Sequence, residues 1–355
     1  MEDIKQMKEV MYTAEKNRID GLDALKTIAA ALVIFLHCSY QSDAGSHLRF
    51  IELTGVPIFF CISGYFFSDI KNGAKEKVYV KKIIMLFFEG IVVYSIYNGA
   101  RIFLRNDGLP DGIGIKECLQ YLIKLIIFNV PDFAYNHLWY LLALLYVFAI
   151  VNIVWKYNRT IILNNKLLFA VITVLLTCNC ILGTYSKLIL GFELDTFFSR
   201  NWLFDGLPFY LIGILYRQCR KNENGGSKTS VWAVLLLLCA GIIENELIIN
   251  YQISNYGDCL IITPFLVWMF LKLFSERICG RKCRLAKIGR ENSSDIYIYH
   301  PLVLAAVQKF ENFLGGGGNT LYQKSIAMLL LAVCVFGGTY VFSLCKQKFL
   351  KFTKR

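Results

Sequence analysis

Runs of roughly 18 to 22 apolar residues recur along this chain, which is the length a helix needs to cross the hydrocarbon core of a bilayer. Charged residues are only 18% of the 355 and gather between the runs, not along one face of each. Helices of a soluble domain carry polar stripes, so the pattern predicts an all-α, polytopic membrane bundle of about ten transmembrane helices. The spans are expected near 21–40, 49–68, 83–104, 138–155, 167–182, 203–216, 231–248, 259–274, 296–313 and 323–345. The stretch Ile115 to Val130 is apolar but interrupted by Lys116, Glu117, Gln120 and Lys124, and reads as an interfacial helix. Residues 1–20 are polar and hold no short apolar core before a cleavage site, so they are expected to form a cytoplasmic segment, not a signal peptide. A membrane domain over 21–345 and a basic cytoplasmic tail over 346–355 complete the expected organisation.

The loops supply an orientation. With the N-terminus inside, the cytoplasmic segments hold 27 lysines and arginines, and the outer ones hold six: Arg49, Arg105, Lys116, Lys124, Lys187 and Arg200. That asymmetry predicts both termini on the cytoplasmic side of a bacterial-type plasma membrane. It also explains the net charge of +12, and no soluble basic patch suggests a nucleic-acid partner. Cysteines 38, 61, 178, 239, 259 and 334 fall within or at the ends of spans, where cysteine behaves as a small apolar residue. Cys279 and Cys283 form a C-x3-C pair without a nearby histidine, which does not specify a metal site. Gly315 to Gly318 reads as a short outer loop.

Ionisable groups inside a bilayer are costly enough to mark a pathway, a site or a pair. In "ALKTIAAALVIFLHCSY", Lys26 and His37 are eleven residues apart, about three helical turns, so they share one face roughly 16 Å apart. Lys26 could instead snorkel to the interface, and His37 could simply bond a neighbouring helix. His137 precedes Trp139 and Tyr140, which would also suit an interfacial aromatic belt. His300 lies among Ser294, Asp295, Tyr297 and Tyr299, beside Pro301, which frees backbone groups that need partners. Ser63 and Gly64 in "VPIFFCISGYFF" permit close helix packing. Arg200, Asn201 and Asp205 stand at the outer entrance of the sixth span, where they could bind a polar ligand or pair with each other. Glu89, inside the third span, needs a partner, with Lys26 as the candidate.

The series "KTIAAALVIFLH", "FFCISGYFF", "HLWYLLAL" and "SDIYIYHPLV" resembles, in order and over essentially all ten spans, the acyltransferase-3 family of integral membrane acyltransferases. Within that family the wording is most similar to the membrane half of vancomycin-resistance-type serine racemases; no racemase half is expected in this chain. The resemblance implies a ten-helix bundle that takes an acyl group, usually acetyl, from coenzyme A inside and passes it to a hydroxyl of a sugar or envelope polymer outside. It places the family's first-helix basic residue on Lys26, where arginine is commoner, and its histidine on His37. Lysine keeps the charge but not the bidentate fork of arginine. The family's paired basic residues before the third span fall loosely on Lys81 and Lys82, again lysines where arginines are usual, and these two with Ser63 are the expected acyl-donor contacts.

Two readings follow. In the first, the chain is an O-acyltransferase with His37 as general base, and Lys26, three turns away, counted with it in the catalytic set. Acyl-coenzyme A would be a donor substrate, with no resident cofactor or metal. His137, Trp139, Arg200, Asn201, Tyr297 and His300 would line the acceptor path, the acceptor being an envelope carbohydrate or small hydroxyl compound. In the second, the same polar residues carry a small solute such as L-serine across the membrane without chemistry. The absence of an internal repeat favours the enzyme.

Overall fold

The computed structural model describes residues 19–39, 46–70, 73–105, 115–130, 136–222, 231–254, 259–276, 283–313 and 321–352. Residues 1–18, Cys279 and Gly315 to Gly318 lie outside them. Every regular element among the described residues is helical. In chain order the principal helices are α1 (Asp20–Ser39), α2 (Arg49–Glu52), α3 (Gly55–Tyr65), α4 (Gly73–Arg105), α5 (Ile115–Phe128), α6 (Trp139–Tyr157) and α7 (Asn165–Leu182). They continue as α8 (Leu207–Asn222), α9 (Val231–Asn250), α10 (Thr263–Glu276), α11 (Arg284–Glu291), α12 (Ser293–Phe313) and α13 (Leu321–Phe352).

Six of these, α1, α4, α6, α7, α9 and α13, are long and apolar enough to cross a membrane. Their outer faces match that role. Met85, Phe88, Val92 and Ile96, spaced three or four apart on α4, are all exposed, as are Leu236 and Ile243 on α9 and Leu329, Leu330 and Val333 on α13. Apolar faces of this extent suit lipid, and the chain is a multi-pass membrane protein.

Of the other four predicted spans, three fall on shorter or divided elements. Span 49–68 divides into α2 and the eleven-residue α3; 203–216 becomes a π-helical turn (Trp202–Gly206) followed by α8; 259–274 yields the 14-residue α10. Span 296–313 lies on the 21-residue α12, which runs on past Pro301 but is less uniformly apolar than the six. Apolar composition alone does not separate a crossing from a shorter helix buried among crossings. The Ile115–Phe128 helix, at 14 residues, is likewise too short to cross upright.

The core forms around α1, which packs against α3, α10, α11, α12 and α13. Its small residues Ala24, Ala29 and Ala30 are fully or almost fully buried and allow that approach. Asp20 and Asp23, in its first turn at the positive end of the helix dipole, hold Arg290 of α11 at 2.6 and 3.0 Å. The tightest pair is α3 with α8. A Cβ on Gly64 would sit 1.9 Å from the Tyr210 carbonyl oxygen, and one on Gly213 would sit 1.9 Å from that of Cys61. Only glycine permits this backbone contact, and it fixes where α3 presents Ser63 and Pro57.

Candidate functional site

The far end of α1 carries His37 into a cleft of about 120 Å³. Glu52, Pro57, His137, Trp139, Arg200, Asp205 and Tyr297 also line it. Arg200 is within electrostatic range of the His37 ring. Five chain segments thus contribute polar groups to one concavity, the usual form of a small-molecule site.

Three histidines meet there. The His37 and His300 ring centroids are 5.1 Å apart, and those of His137 and His300 are 5.6 Å apart. His37 is partly exposed to the cleft, whereas His300 is fully buried behind it. No group of three potential ligands among the described residues is disposed to hold a metal.

Pro301 explains the state of His300. A proline inside a helix cannot donate to the carbonyl four residues back, which here belongs to Tyr297. The Nδ1 of His300 lies 2.8 Å from that oxygen and 3.2 Å from the Ile296 oxygen. A carbonyl only accepts, so Nδ1 carries the hydrogen and the neutral ring keeps its lone pair on Nε2. That atom is buried with no hydrogen-bond partner among the described residues. Around it, the Tyr297 hydroxyl donates to the His137 carbonyl and Tyr94 donates to the Ile298 carbonyl at 2.6 Å, tying α4, the turn that leads into α6, and α12 together beside Pro301.

The remaining predicted residues divide. Trp139 packs against Phe60 at the cleft wall, with ring centroids 6.0 Å apart. Both amide groups of Asn201 are engaged by the backbone. Its oxygen accepts from Leu203 and Phe204 at 2.9 and 3.0 Å and its amide donates to the Phe197 and Phe198 carbonyls, both at 2.9 Å. It caps the π-helical turn that brings Asp205 to the cleft, a rare element often found at functional sites. Sequence spacing cannot distinguish such a cap from a ligand contact.

At the opposite end of α1, Lys26 pairs with Asp23 at 2.8 Å and lies over the Phe66 ring at 5.9 Å. Lys82 approaches Lys26 closely enough for their charges to interact, with Asp295 facing Lys82; Lys81 is exposed. Ser63 stands between the ends, beside Tyr79 and Tyr140, and Tyr140 packs on Tyr297 with centroids 5.4 Å apart. Ser63, Tyr79, Tyr140 and Tyr297 thus form a buried cluster of hydroxyl-bearing side chains that reaches the His137 backbone. Glu89 is not paired with Lys26, as the sequence suggested. It takes Lys346 of α13 and the Tyr299 hydroxyl, while Lys346 also reaches Asp295 at 2.8 Å. The helix continues past residue 345, so a lysine assigned to the tail turns inward instead.

Comparison with known proteins adds a family and two relatives. The family described as an acyltransferase domain, acyltransferase-3, matches residues 19–346. An amino-acid racemase of Enterococcus faecalis is 25% identical over 90% of this chain and 45% of its own length. A serine/alanine racemase of Enterococcus gallinarum is 21% identical over 89% of this chain and 45% of its own. The chain thus spans about half the length of the curated relatives it matches. No solved structure matches it.

Proposed function

Because the chain belongs to the acyltransferase-3 family of membrane acyltransferases, we propose that it moves an acyl group, acetyl in the simplest case, from cytoplasmic acyl-coenzyme A to a hydroxyl on an outer acceptor, a sugar or cell-envelope polymer. The observation that carries this reading is the packing of His37, His137 and His300 against one another at one cleft, three turns along α1 from Lys26, which Lys82 of α4 approaches. We take all ten predicted spans as crossings of a bacterial plasma membrane with both termini inside; the distribution of basic residues supports this.

In this account Lys26, Lys81 and Lys82 attract the phosphates of coenzyme A. The pantetheine arm then follows the hydroxyls of Ser63, Tyr79 and Tyr140 toward the cleft. His37 takes the proton of the acceptor hydroxyl as its oxygen bonds to the thioester carbonyl carbon. The C–S bond then breaks, and coenzyme A leaves as the thiol with the proton His37 returns. The lone pair on His300 Nε2 stands beside the imidazolium that forms transiently, and Arg200 balances negative charge on the tetrahedral oxygen. The test is to supply the protein in nanodiscs with labelled acetyl-coenzyme A and a panel of hydroxylated acceptors, measuring thiol release and label transfer. Neither process above background, with the donor also failing to bind, would remove the enzymatic reading.

A second reading is uptake of a small polar solute such as L-serine. The relatives named as amino-acid and serine/alanine racemases favour it, as does a cleft with Glu52 and Arg200, which suits a zwitterion. Labelled serine accumulating in proteoliposomes without thioester turnover would support it over the first.

A further inference from the structure

Two thiols from distant parts of the chain meet near the cleft. Cys180 stands two residues before the end of α7, and Cys259 lies in the segment leading into α10, 79 positions further on. The Cys180 Sγ is 4.0 Å from the Cys259 carbonyl oxygen, and the two side chains are in hydrogen-bonding contact with each other. Both are free thiols, Cys259 buried and Cys180 partly exposed. Burial suits the reading of Cys259 as a small apolar residue, but hydropathy cannot show a second cysteine placed against it.

The backbone around the pair is well held. The Thr184 hydroxyl donates to the Cys259 carbonyl at 2.8 Å, and the Leu260 N–H donates to the Thr263 hydroxyl at 3.0 Å. Asn179, beside Cys180, is buried and donates to the Ser199 and Phe204 carbonyls at 3.2 and 2.9 Å. The end of α7 therefore braces the π-helical turn that brings Asp205 to the cleft. Asp205 is also within electrostatic range of Cys259, which puts the pair at the His37 end of the bundle. In the proposed orientation that end is outside, where disulfides persist.

We infer that Cys180 and Cys259 are a disulfide-forming pair, oxidised by a small-molecule disulfide. The Cys180 thiolate attacks one sulfur of the oxidant, whose S–S bond breaks to release one thiol. Cys259 then attacks the Cys180 sulfur of the mixed disulfide and displaces the second thiol. Two electrons pass from the protein sulfurs to the oxidant, and the protons of both cysteines end on the two leaving thiols. The partly exposed cysteine is the one a reagent reaches, and the buried one resolves. The bond ties the end of α7 to the start of α10 and closes a long loop, which stabilises the folded chain.

The test uses the full chain in nanodiscs, reduced with dithiothreitol, freed of it and exposed to oxidised glutathione. Remaining thiols are alkylated, and the protein is digested without reduction for mass spectrometry. The expected product is a Cys180–Cys259 cross-linked peptide that dithiothreitol abolishes. Cys259→Ser should instead retain glutathione on Cys180, and Cys180→Ser should leave Cys259 a free thiol. Oxidised wild type should melt about 5 °C above its reduced form, with no such rise in either variant. Glutathione retained on Cys180 of the wild type without a cross-link, Cys180 joined to another cysteine such as Cys178, or both thiols alkylated after oxidation would each overturn the pair. None of these readouts depends on acyl transfer.

Discussion

Pro301 has no N–H to give the Tyr297 carbonyl, and the His300 ring, one residue earlier, supplies that hydrogen bond instead. Proline thereby fixes a tautomer that places the lone pair on the buried Nε2. Replacing Pro301 with alanine restores a competing donor, so His300 should lose its fixed tautomer while α12 is not weakened. We expect acyl transfer to fall about tenfold with no loss of thermal stability, read from turnover and melting of the same preparation. Unchanged transfer would show that the tautomer is not set this way. The sequence displayed the need for a partner at Pro301 and the polar setting of His300, but not that one would serve the other. Neither could it show that residues 37, 137 and 300, so distant along the chain, pack ring against ring at one cleft. The capping role of Asn201 was equally hidden, since asparagine binds a ligand and caps a turn with the same two groups.

Individual elements were legible in proportion to their length and uniformity. The run from Leu22 to Cys38 and the long apolar helices follow directly from hydropathy, whereas α3 and α10 are short helices inside stretches that read as full crossings. What makes α3 distinctive is contact, not composition. Gly213→Val would force a side chain against the Cys61 carbonyl, so α3 and α8 must part; we expect a loss of more than about 3 kcal/mol, seen as aggregation or a much lower melting temperature in detergent. The partner of Glu89 was missed because α13 runs through to Phe352 and returns Lys346 to the bundle. Lys346→Met would remove the cation that Glu89 and Asp295 share, leaving Glu89 the Tyr299 hydroxyl and Asp295 the Ser343 hydroxyl and the more distant Lys82. The side chains of Lys346, Glu89 and Asp295 are 22%, 30% and 13% exposed, so the cost should fall below that of a fully buried pair, at about 2 kcal/mol. Adding Glu89→Gln should recover part of it, and a double variant no more stable than the single one would argue against the network.

For the whole molecule, the exposed faces of α4, α9 and α13 establish a membrane protein, and the positions of charge propose its sidedness. Lys26 and His37 stand toward opposite ends of one helix, so in the proposed reaction the donor phosphates and the acceptor hydroxyl would approach from opposite faces. The account stands on His37 acting as the base in that reaction. The most direct measurement supplies radiolabelled acetyl-coenzyme A to nanodisc-embedded wild type and His37→Gln side by side, recording nucleotide binding and release of the free thiol. Glutamine preserves hydrogen bonding but cannot take the proton. The prediction is that both proteins bind the nucleotide alike, while thiol release falls at least about a hundredfold in the variant. Equal turnover in a folded His37→Gln protein would contradict the assignment.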